Sequence, residues 1–229
     1  MIVLINRHRH FFYSLLLLVG SWAHAQSELP IMPYPEKIQL DNGKFYLTQS
    51  FNVSIEGTHS DRLPKEAFLF LNQLVEQTGL FLNYRHVAGQ REQAALKIVT
   101  ERAGNVEIGE NESYTLQVNA SGIVLKSETD IGASRGLMTI LQLIDGDEKG
   151  YFIPHVIIQD QPRFPWRGLM LDVARHFQPL QSLYRTLDAM AAVKLNILHL
   201  HLSDDQGFRF ESKLFPELNS KGADGKYYT

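Results

Sequence analysis

The chain has 229 residues, of which 44% are hydrophobic and 21% charged, with a formal net charge of −3. This length allows one or two domains, and the hydrophobic fraction suits a packed core but is too low for a protein with many membrane spans. The near-balanced charge and a pI of about 6.3 give no indication of a nucleic-acid partner. The absence of cysteine excludes disulfides and thiolate chemistry.

The first 25 residues have the pattern of a secretory signal peptide. Arg7 and Arg9 form a basic segment, the apolar stretch 11–19 is too short to span a bilayer, and Ala23-His24-Ala25 fits the small-residue cleavage pattern. We therefore expect cleavage after Ala25 and export to the periplasm or the cell exterior, with no membrane span afterwards. Uncleaved tethering and a buried N-terminal element are the alternatives.

Residues 26–160 are predicted to form one α+β domain. Two helices, over about Pro64 to Thr78 and Asp130 to Leu143, interrupt the strands, and Gly79 ends the first helix. This order predicts an antiparallel or mixed sheet with both helices on one face. The predicted strands are Lys37–Leu40, Lys44–Leu47, Phe51–Ile55, Leu96–Thr100, Tyr114–Val118, Ile123–Lys126 and Tyr151–Ile158.

Three polar segments of this domain are interpreted as turns. Asp41-Asn42-Gly43 is expected to join the first two strands as a hairpin, and Asn119–Gly122 to join two later strands in the same way. The adjacent carboxylates Asp147 and Glu148 lie in a Gly-Asp-Glu-Lys-Gly turn, so they are interpreted as surface residues without a catalytic role. No part of this domain has a pattern typical of an active site.

The segment 159–166 is interpreted as a domain boundary, because two prolines within four residues favour extended backbone. After it, the apolar runs 168–173 and 196–202 flank a helix in which Pro179 suits the first turn. This pattern predicts a parallel, right-handed strand–helix–strand unit, and the apolar strands are expected to be covered on both faces. The apolar face of the helix consists of Leu180, Leu183, Leu187, Met190 and Ala191.

Ionisable residues gather just beyond the carboxyl ends of these two predicted strands. Asp172, Arg175 and His176 follow the first strand, and Asp204 and Asp205 follow the second. This edge is where parallel α/β folds bind ligands. Position alone leaves two interpretations of Arg175 open, a ligand-binding group or a structural ion pair with Asp172. Asp205 either caps the following turn or shares the site.

His199 and His201 share one face of the second predicted strand. Such a pair could bind a metal, as in a metal-dependent amidohydrolase built on a TIM barrel. We favour barrel-interior histidines that bond to polar neighbours, because two residues separate His201 from the carboxylates and Arg175-His176-Phe177 has no role in a metal site. His176 is likewise expected to lie near the site without touching a ligand.

The stretches RGLMLDVARHF (167–177) and NILHLHLSDDQGFR (196–209) resemble glycoside hydrolase family 20, the β-N-acetylhexosaminidases. The likeness extends backwards through IGASRGLMTILQL (131–143) and IPHVIIQDQPRFPWRG (153–168), which look like the end of that family's small α+β domain and its passage into the catalytic barrel. The resemblance implies a (β/α)8 TIM barrel that removes terminal β-linked N-acetylglucosamine or N-acetylgalactosamine from glycans without a metal or cofactor.

The resemblance also implies a substrate-assisted, retaining mechanism. The 2-acetamido oxygen of the substrate attacks the anomeric carbon to give an oxazolinium intermediate, an Asp orients the acetamido group, and the following Glu is the general acid. Arg175 is assigned to the 3- and 4-hydroxyls of the sugar, because a guanidinium presents several fixed donors. Asp204 is assigned to a hydrogen-bond network with a His and the acid. Asp205, His201, His176 and Asp172 are expected around that network.

The chain is shorter than a complete enzyme of this kind is expected to be. A (β/α)8 barrel needs ~250 residues, whereas about 65 follow Pro165. Residues 161–229 are therefore expected to be the start of the barrel, and the catalytic Asp-Glu pair to lie beyond Thr229. We expect the chain to be inactive by itself. A truncated remnant with at most weak sugar binding is the alternative outside catalysis.

Overall fold

The computed structural model describes residues 29–82 and 94–229. The expected signal peptide and its cleavage site at Ala25 lie outside these ranges. Within them, no helix is both long enough and apolar enough to cross a membrane. The described residues from Ile31 onwards form one compact unit.

In the described part of the chain, a seven-stranded sheet is formed by β1 (Lys37–Tyr46), β2 (Val53–Gly57), β3 (Leu96–Arg102), β4 (Tyr114–Asn119), β5 (Gly122–Thr129), β6 (Asp145–Asp147) and β7 (Gly150–Asp160). The strand order is β1-β7-β4-β5-β3-β2, with β6 beside β7. The strands β2, β3 and β5 run parallel, whereas the other neighbours pair antiparallel. The prediction of a mixed sheet is therefore confirmed.

Both predicted helices of this region are confirmed, as α1 (Arg62–Thr78) and α2 (Asp130–Gln142). Gly79 ends α1 in the left-handed conformation with φ 68°, where its N–H donates to the Val75 carbonyl at 2.8 Å. The Thr129 hydroxyl caps α2 by accepting from the Gly132 N–H at 3.1 Å. The two helices pack against each other, and α2 also packs on β3, β4 and β5.

The predicted hairpin at Asp41-Asn42-Gly43 is wrong. The strand β1 is continuous and pairs with β7 on both sides of these three residues, with a register shift between Leu40 and Lys44. The three residues form a bulge, and Gly43 lies against the ring of His155, so that a Cβ there would be 2.2 Å from Nδ1. Because β7 offers a partner on both sides of the turn sequence, the chain continues instead of reversing.

The other two turns form as predicted. Asn119 pairs with Gly122 in the β4–β5 hairpin, and the turn between β6 and β7 contains Glu148. The Asp147 carboxylate accepts hydrogen bonds from Lys44 Nζ at 2.6 Å and from the Tyr46 hydroxyl at 3.0 Å. The bond from Lys44 helps to lower the pKa of Asp147 to about 2. This carboxylate therefore holds β1 beside the β6–β7 hairpin.

The strand–helix–strand unit is confirmed as β8 (Gly168–Asp172), α3 (Leu180–Ala192) and β9 (Ile197–His201), with β8 and β9 parallel. Pro179 precedes the helix and accepts the Ser182 N–H at 2.8 Å. The expectation that both strands are covered on two faces is wrong, since Met170 is 59% exposed and Leu169 37% exposed. Two paired strands and one helix are too few to enclose both faces of a sheet. The hairpin β10 (Ser203–Asp204) and β11 (Gly207–Phe208) and the short helix α4 (Glu217–Ser220) follow.

Buried charges join the amino-terminal end of this unit to the mixed sheet. Lys194 has a positive φ of 60°, and its Nζ lies 2.9 Å from both Asp160 Oδ2 and the Tyr114 hydroxyl. Burial lowers the pKa of Lys194 although Asp160 favours its charged form. Arg167 Nη2 lies 2.5 Å from Glu112 Oε2. Arg167 thus braces the junction, and the carboxyl ends of β8 and β9 face away from it.

Candidate active site

The carboxyl ends of β8 and β9 bring Arg175 and Asp204 together. Asp172 and His201 are paired as the last residues of the two strands, so the chain leaves both strands at one edge. Arg175 Nε lies 3.1 Å from Asp204 Oδ2 and 3.1 Å from Asp172 Oδ2. The Arg175 side chain is 65% exposed, and within the described ranges its terminal nitrogens have no hydrogen-bond partner. These forked donors are therefore available to a ligand.

Asp172 shapes the turn that carries Arg175. Its Oδ1 accepts the Arg175 backbone N–H at 3.0 Å, a turn in which an aspartate bonds to the backbone a few residues later. The intervening Val173 and Ala174 are buried, and their N–H groups donate to the His201 carbonyl at 3.3 and 3.1 Å. The turn is thereby fixed over the end of β9.

Asp204 is held ionised by three donors. The Asp205 backbone N–H donates to Oδ1 at 2.9 Å, and Oδ2 lies 3.1 Å from both His201 Nε2 and Arg175 Nε. The backbone N–H of Asp205, then His201 and Arg175, hold the pKa of Asp204 well below its ordinary value. Asp204 in turn raises the pKa of Arg175. The pair is a permanent cation beside a permanent anion at ordinary pH.

The remaining predicted residues are less engaged. Asp205 is exposed, and its contribution to the contacts of the site is the backbone N–H. His176 and His199 are exposed, and neither side chain has a hydrogen-bond partner in the part of the chain that the structure describes. No group of three or more His, Cys, Asp or Glu residues suited to a metal occurs in residues 29–82 and 94–229. The metal interpretation of His199 and His201 gains no support from their positions.

Sequence reasoning missed Arg209, which is buried beneath the site with 6% of its surface exposed. Its guanidinium donates to five backbone carbonyls, at distances between 2.8 and 3.2 Å. No carboxylate pairs with it among the described residues, and its charge is compensated by these backbone dipoles and by the Phe177 ring, whose centroid lies 5.8 Å from Arg209 Cζ. One local signal precedes it, since a Cβ at Gly207 would lie 2.3 Å from Arg209 Cζ. The accepting carbonyls belong to Val173, Ala174, Gln206, Ala223 and Lys226.

Tyr228 supports the same turn from its far side. Its hydroxyl donates to the Gln178 carbonyl at 2.7 Å, and its ring lies 5.1 Å from that of Phe177. The Tyr228 backbone is fixed in turn, since its N–H donates to the Arg209 carbonyl at 2.9 Å. Asp172 therefore fixes the start of the turn that carries Arg175, and Tyr228 fixes the backbone that follows it.

A large cleft of about 790 Å³ lies elsewhere, at the junction with the mixed sheet. Glu112, Asp160, Arg167 and Lys194 line it, and these charges are paired with one another. Neither Arg175 nor Asp204 contributes to its wall. We place the candidate site at the carboxyl edge of β8 and β9 because the donors that lack protein partners lie there.

The two parts of the chain match two family models. Residues 28–161 match glycosyl hydrolase family 20, domain 2, and residues 164–228 match the catalytic domain of glycosyl hydrolase family 20. The β-hexosaminidase of Vibrio furnissii is 34% identical over 85% of this chain and 30% of its own length. The β-hexosaminidase subunit alpha of Bos taurus is 35% identical over 91% of this chain and 41% of its own length.

Solved structures that share the fold include a chitobiase and an exo-β-N-acetylglucosaminidase. The chitobiase of Flavobacterium johnsoniae superposes with a TM-score of 0.84 at 42% identity, over 88% of this chain and 31% of that one. The exo-β-N-acetylglucosaminidase of Vibrio harveyi, solved in complex with N-acetylglucosamine, gives a TM-score of 0.68 at 28% identity, over 85% and 28%. The chain thus spans less than half the length of each of these relatives. The matches to both segments confirm the resemblance seen in the sequence, and the chain belongs to glycoside hydrolase family 20.

Proposed function

We propose that the protein carrying these residues is a β-N-acetylhexosaminidase that hydrolyses terminal β-linked N-acetylhexosamine residues of glycans. The observation that carries the proposal is the state of Arg175. Two carboxylates hold its Nε at the carboxyl edge of β8 and β9, while its terminal nitrogens have no partner in the described residues. The family membership and a relative solved with N-acetylglucosamine bound support the same reading.

Arg175 is the proposed sugar-binding residue. Two neighbouring hydroxyls of a pyranose ring match the spacing of the two terminal nitrogens of a guanidinium, which present parallel donors in a rigid fork. Asp172 and Asp204 set the direction of the fork through Nε and leave the terminal N–H groups to the 3- and 4-hydroxyls of the sugar. Asp204, held ionised by Asp205 and His201, is the proposed acceptor for a network that extends towards the general acid.

The proposed reaction is substrate-assisted. The acetamido oxygen forms a bond to the anomeric carbon as the glycosidic bond breaks, the acid protonates the departing oxygen, and water then opens the oxazolinium with overall retention. This step needs a carboxyl acid and a carboxylate near the acetamido group. The adjacent pair Asp147-Glu148 does not supply them, because Asp147 bonds to Lys44 and Tyr46 in the mixed sheet. The 229-residue chain is therefore proposed to be inactive by itself.

Release of 4-nitrophenol from 4-nitrophenyl N-acetyl-β-glucosaminide tests this proposal. The full-length gene product that carries these residues is expected to turn the substrate over, and the purified 229-residue chain is not. The matching β-glucoside is the control, since it lacks the acetamido nucleophile and is expected to resist hydrolysis. Absence of turnover by the full-length product, or turnover of the glucoside at an equal rate, contradicts the proposal.

A sugar-binding protein that does not hydrolyse glycans is the second candidate. It is favoured because the chain has the Arg175 site, whereas Asp147 of the adjacent Asp147-Glu148 pair bonds to Lys44 and Tyr46 in the mixed sheet. Calorimetric titration of the 229-residue chain with N-acetylglucosamine tests it. Binding that the Arg175→Met variant loses supports a sugar site in this chain, and an unchanged titration of that variant counts against it.

A further inference from the structure

We propose that Arg209 is a positioning residue that sets the distance between Arg175 and Asp204. This inference rests on the proposed function, because Arg175 and Asp204 are its assigned sugar-binding pair. Arg209 itself is buried and does not reach the exposed edge. It acts through the backbone of the two segments on which Arg175 and Asp204 stand.

The first segment is the turn after β8. Arg209 Nε donates to the Val173 carbonyl at 3.1 Å, and Nη2 donates to the Ala174 carbonyl at 2.8 Å. The N–H groups of the same two residues donate to the His201 carbonyl. Both peptide groups that lead into Arg175 are thereby bonded at each end, so the Cα position of Arg175 follows from the position of the Arg209 guanidinium.

The second segment is the β10–β11 hairpin. Arg209 Nη2 donates to the Gln206 carbonyl at 3.2 Å, and the Arg209 backbone N–H donates to the Leu202 carbonyl at 2.8 Å. These bonds bracket Asp204 on both sides along the chain. The planar guanidinium therefore bonds to the backbone on which Arg175 stands and to the backbone on which Asp204 stands. Because its donors have a fixed geometry, this one side chain sets the distance between the two site residues.

The surroundings of Arg209 point to a geometric role more than to a gain in stability. A buried cation without a carboxylate partner is costly, and an apolar side chain of similar volume would avoid that cost. Nη1 donates to the Ala223 and Lys226 carbonyls at 2.9 and 3.1 Å, which anchors the guanidinium to a third segment. Gly207 lies under the guanidinium plane where a Cβ would collide with it.

The test uses the full-length gene product that carries these residues. Arg209→Met keeps the apolar stem and removes the donors, Arg209→Lys returns part of them, and Gly207→Ala displaces the guanidinium without removing it. The control is Arg167→Met, which removes a buried guanidinium at the opposite end of β8. Each variant is measured for kcat/KM, for melting temperature and for hydrogen exchange of residues 173–178 and 203–208.

We expect Arg209→Met and Gly207→Ala to lower kcat/KM at least about tenfold, with faster exchange in both segments, because small displacements of positioned groups are costly. Arg209→Lys should recover part of the loss, and Arg167→Met should lose melting temperature without that loss of kcat/KM. The Arg175→Met/Arg209→Met double variant should lose less than the product of the two single losses, since both substitutions act on the Arg175 contact.

Additive losses in the double variant would overturn the proposal. A kcat/KM of Arg209→Met within about twofold of that of Arg167→Met would also overturn it. Failure of the proposed function looks different, since the wild-type protein would then neither hydrolyse nor bind the sugar. In that case the exchange measurement decides alone. Unchanged exchange of residues 173–178 in Arg209→Met, or in Gly207→Ala where Arg209→Met does not fold, refutes the positioning role.

Discussion

At the scale of single residues, the proposed sugar site depends on a guanidinium that neighbouring carboxylates orient and that is open to solvent. Arg175 uses one nitrogen for Asp172 and Asp204, which leaves its forked donors exposed. Position after the strand predicted that Arg175 and Asp204 would meet, because parallel strands end at one edge. Arg209 was missed because its acceptors are backbone carbonyls, four of the five at least 14 residues away. Any residue type can supply a backbone carbonyl, so the sequence does not indicate these bonds.

Replacement of Arg175 tests the residue scale. Arg175→Met in the full-length protein is expected to lower kcat/KM by about 10- to 100-fold, since hydrogen bonds to a charged group contribute about 1.5–3 kcal/mol. Arg175→Lys should recover little, because an ammonium on a flexible stem lacks the fork. The matched control is Arg185→Met on the exposed face of α3, with kcat/KM unchanged. A loss in Arg175→Met no larger than in the control argues against sugar binding.

At the scale of elements, the periodicity of the sequence identified the helices and the parallel unit. Whether a turn sequence formed a hairpin depended instead on which strand its flanking residues pair with. The sequence Asp41-Asn42-Gly43 has the residues of a tight hairpin, yet β7 extends far enough to pair on both sides of it. No local signal reports the length of a partner strand. The turn between β4 and β5 formed as predicted because these two strands pair with each other, and Asn119 and Gly122 are their last paired residues before the turn.

Asp130 shows how one carboxylate joins several elements. It lies in the first turn of α2 and accepts from the Gly104 N–H at 2.8 Å, Arg62 Nη2 at 2.9 Å and the Ser60 N–H at 3.0 Å, with a further bond from the Ser60 hydroxyl. Burial raises its pKa, but the bonds from Ser60, Gly104 and Arg62 outweigh burial and lower the pKa to about 2. Its ionised form therefore stabilises the mixed-sheet region.

The Asp130→Asn variant tests this at the element scale. A carboxyl whose pKa is lowered on folding stabilises the fold above its unfolded pKa and loses that contribution as pH falls through the folded value. At pH 7 we expect the variant to lose on the order of 2 kcal/mol of unfolding free energy in urea titrations. The gap between variant and wild type should narrow between about pH 4 and pH 2. A gap that is independent of pH contradicts the assignment.

At the scale of the whole molecule, buried charges hold the strand–helix–strand unit on the mixed sheet. Lys194 pairs with Asp160, and Arg167 pairs with Glu112, in both cases with little solvent access. The prolines of residues 159–166 indicated a boundary, but the sequence gave no sign of the part that Lys194 has in the junction. The partner of Lys194, Asp160, lies in another element, β7. Lys194 itself adopts a left-handed backbone conformation just after the end of α3.

Removal of the Asp160 carboxylate tests the junction. Asp160→Asn leaves the Lys194 ammonium buried without its anion, a change that typically costs about 3–5 kcal/mol. We expect limited proteolysis to cut the variant faster than the wild type within residues 161–167. Glu217→Gln is the control, because it breaks an exposed ion pair with Lys221 and exposed pairs contribute little. Equal cleavage rates in all three proteins would show that the pair does not secure the junction.

The most direct measurement is a crystal structure of the full-length protein with N-acetylglucosamine bound. The account predicts that the terminal nitrogens of Arg175 lie about 2.7–3.2 Å from two neighbouring hydroxyl oxygens of the sugar, with Nε still held by Asp172 and Asp204. A sugar that binds elsewhere on the protein, with the Arg175 fork facing only solvent or protein, would contradict this prediction.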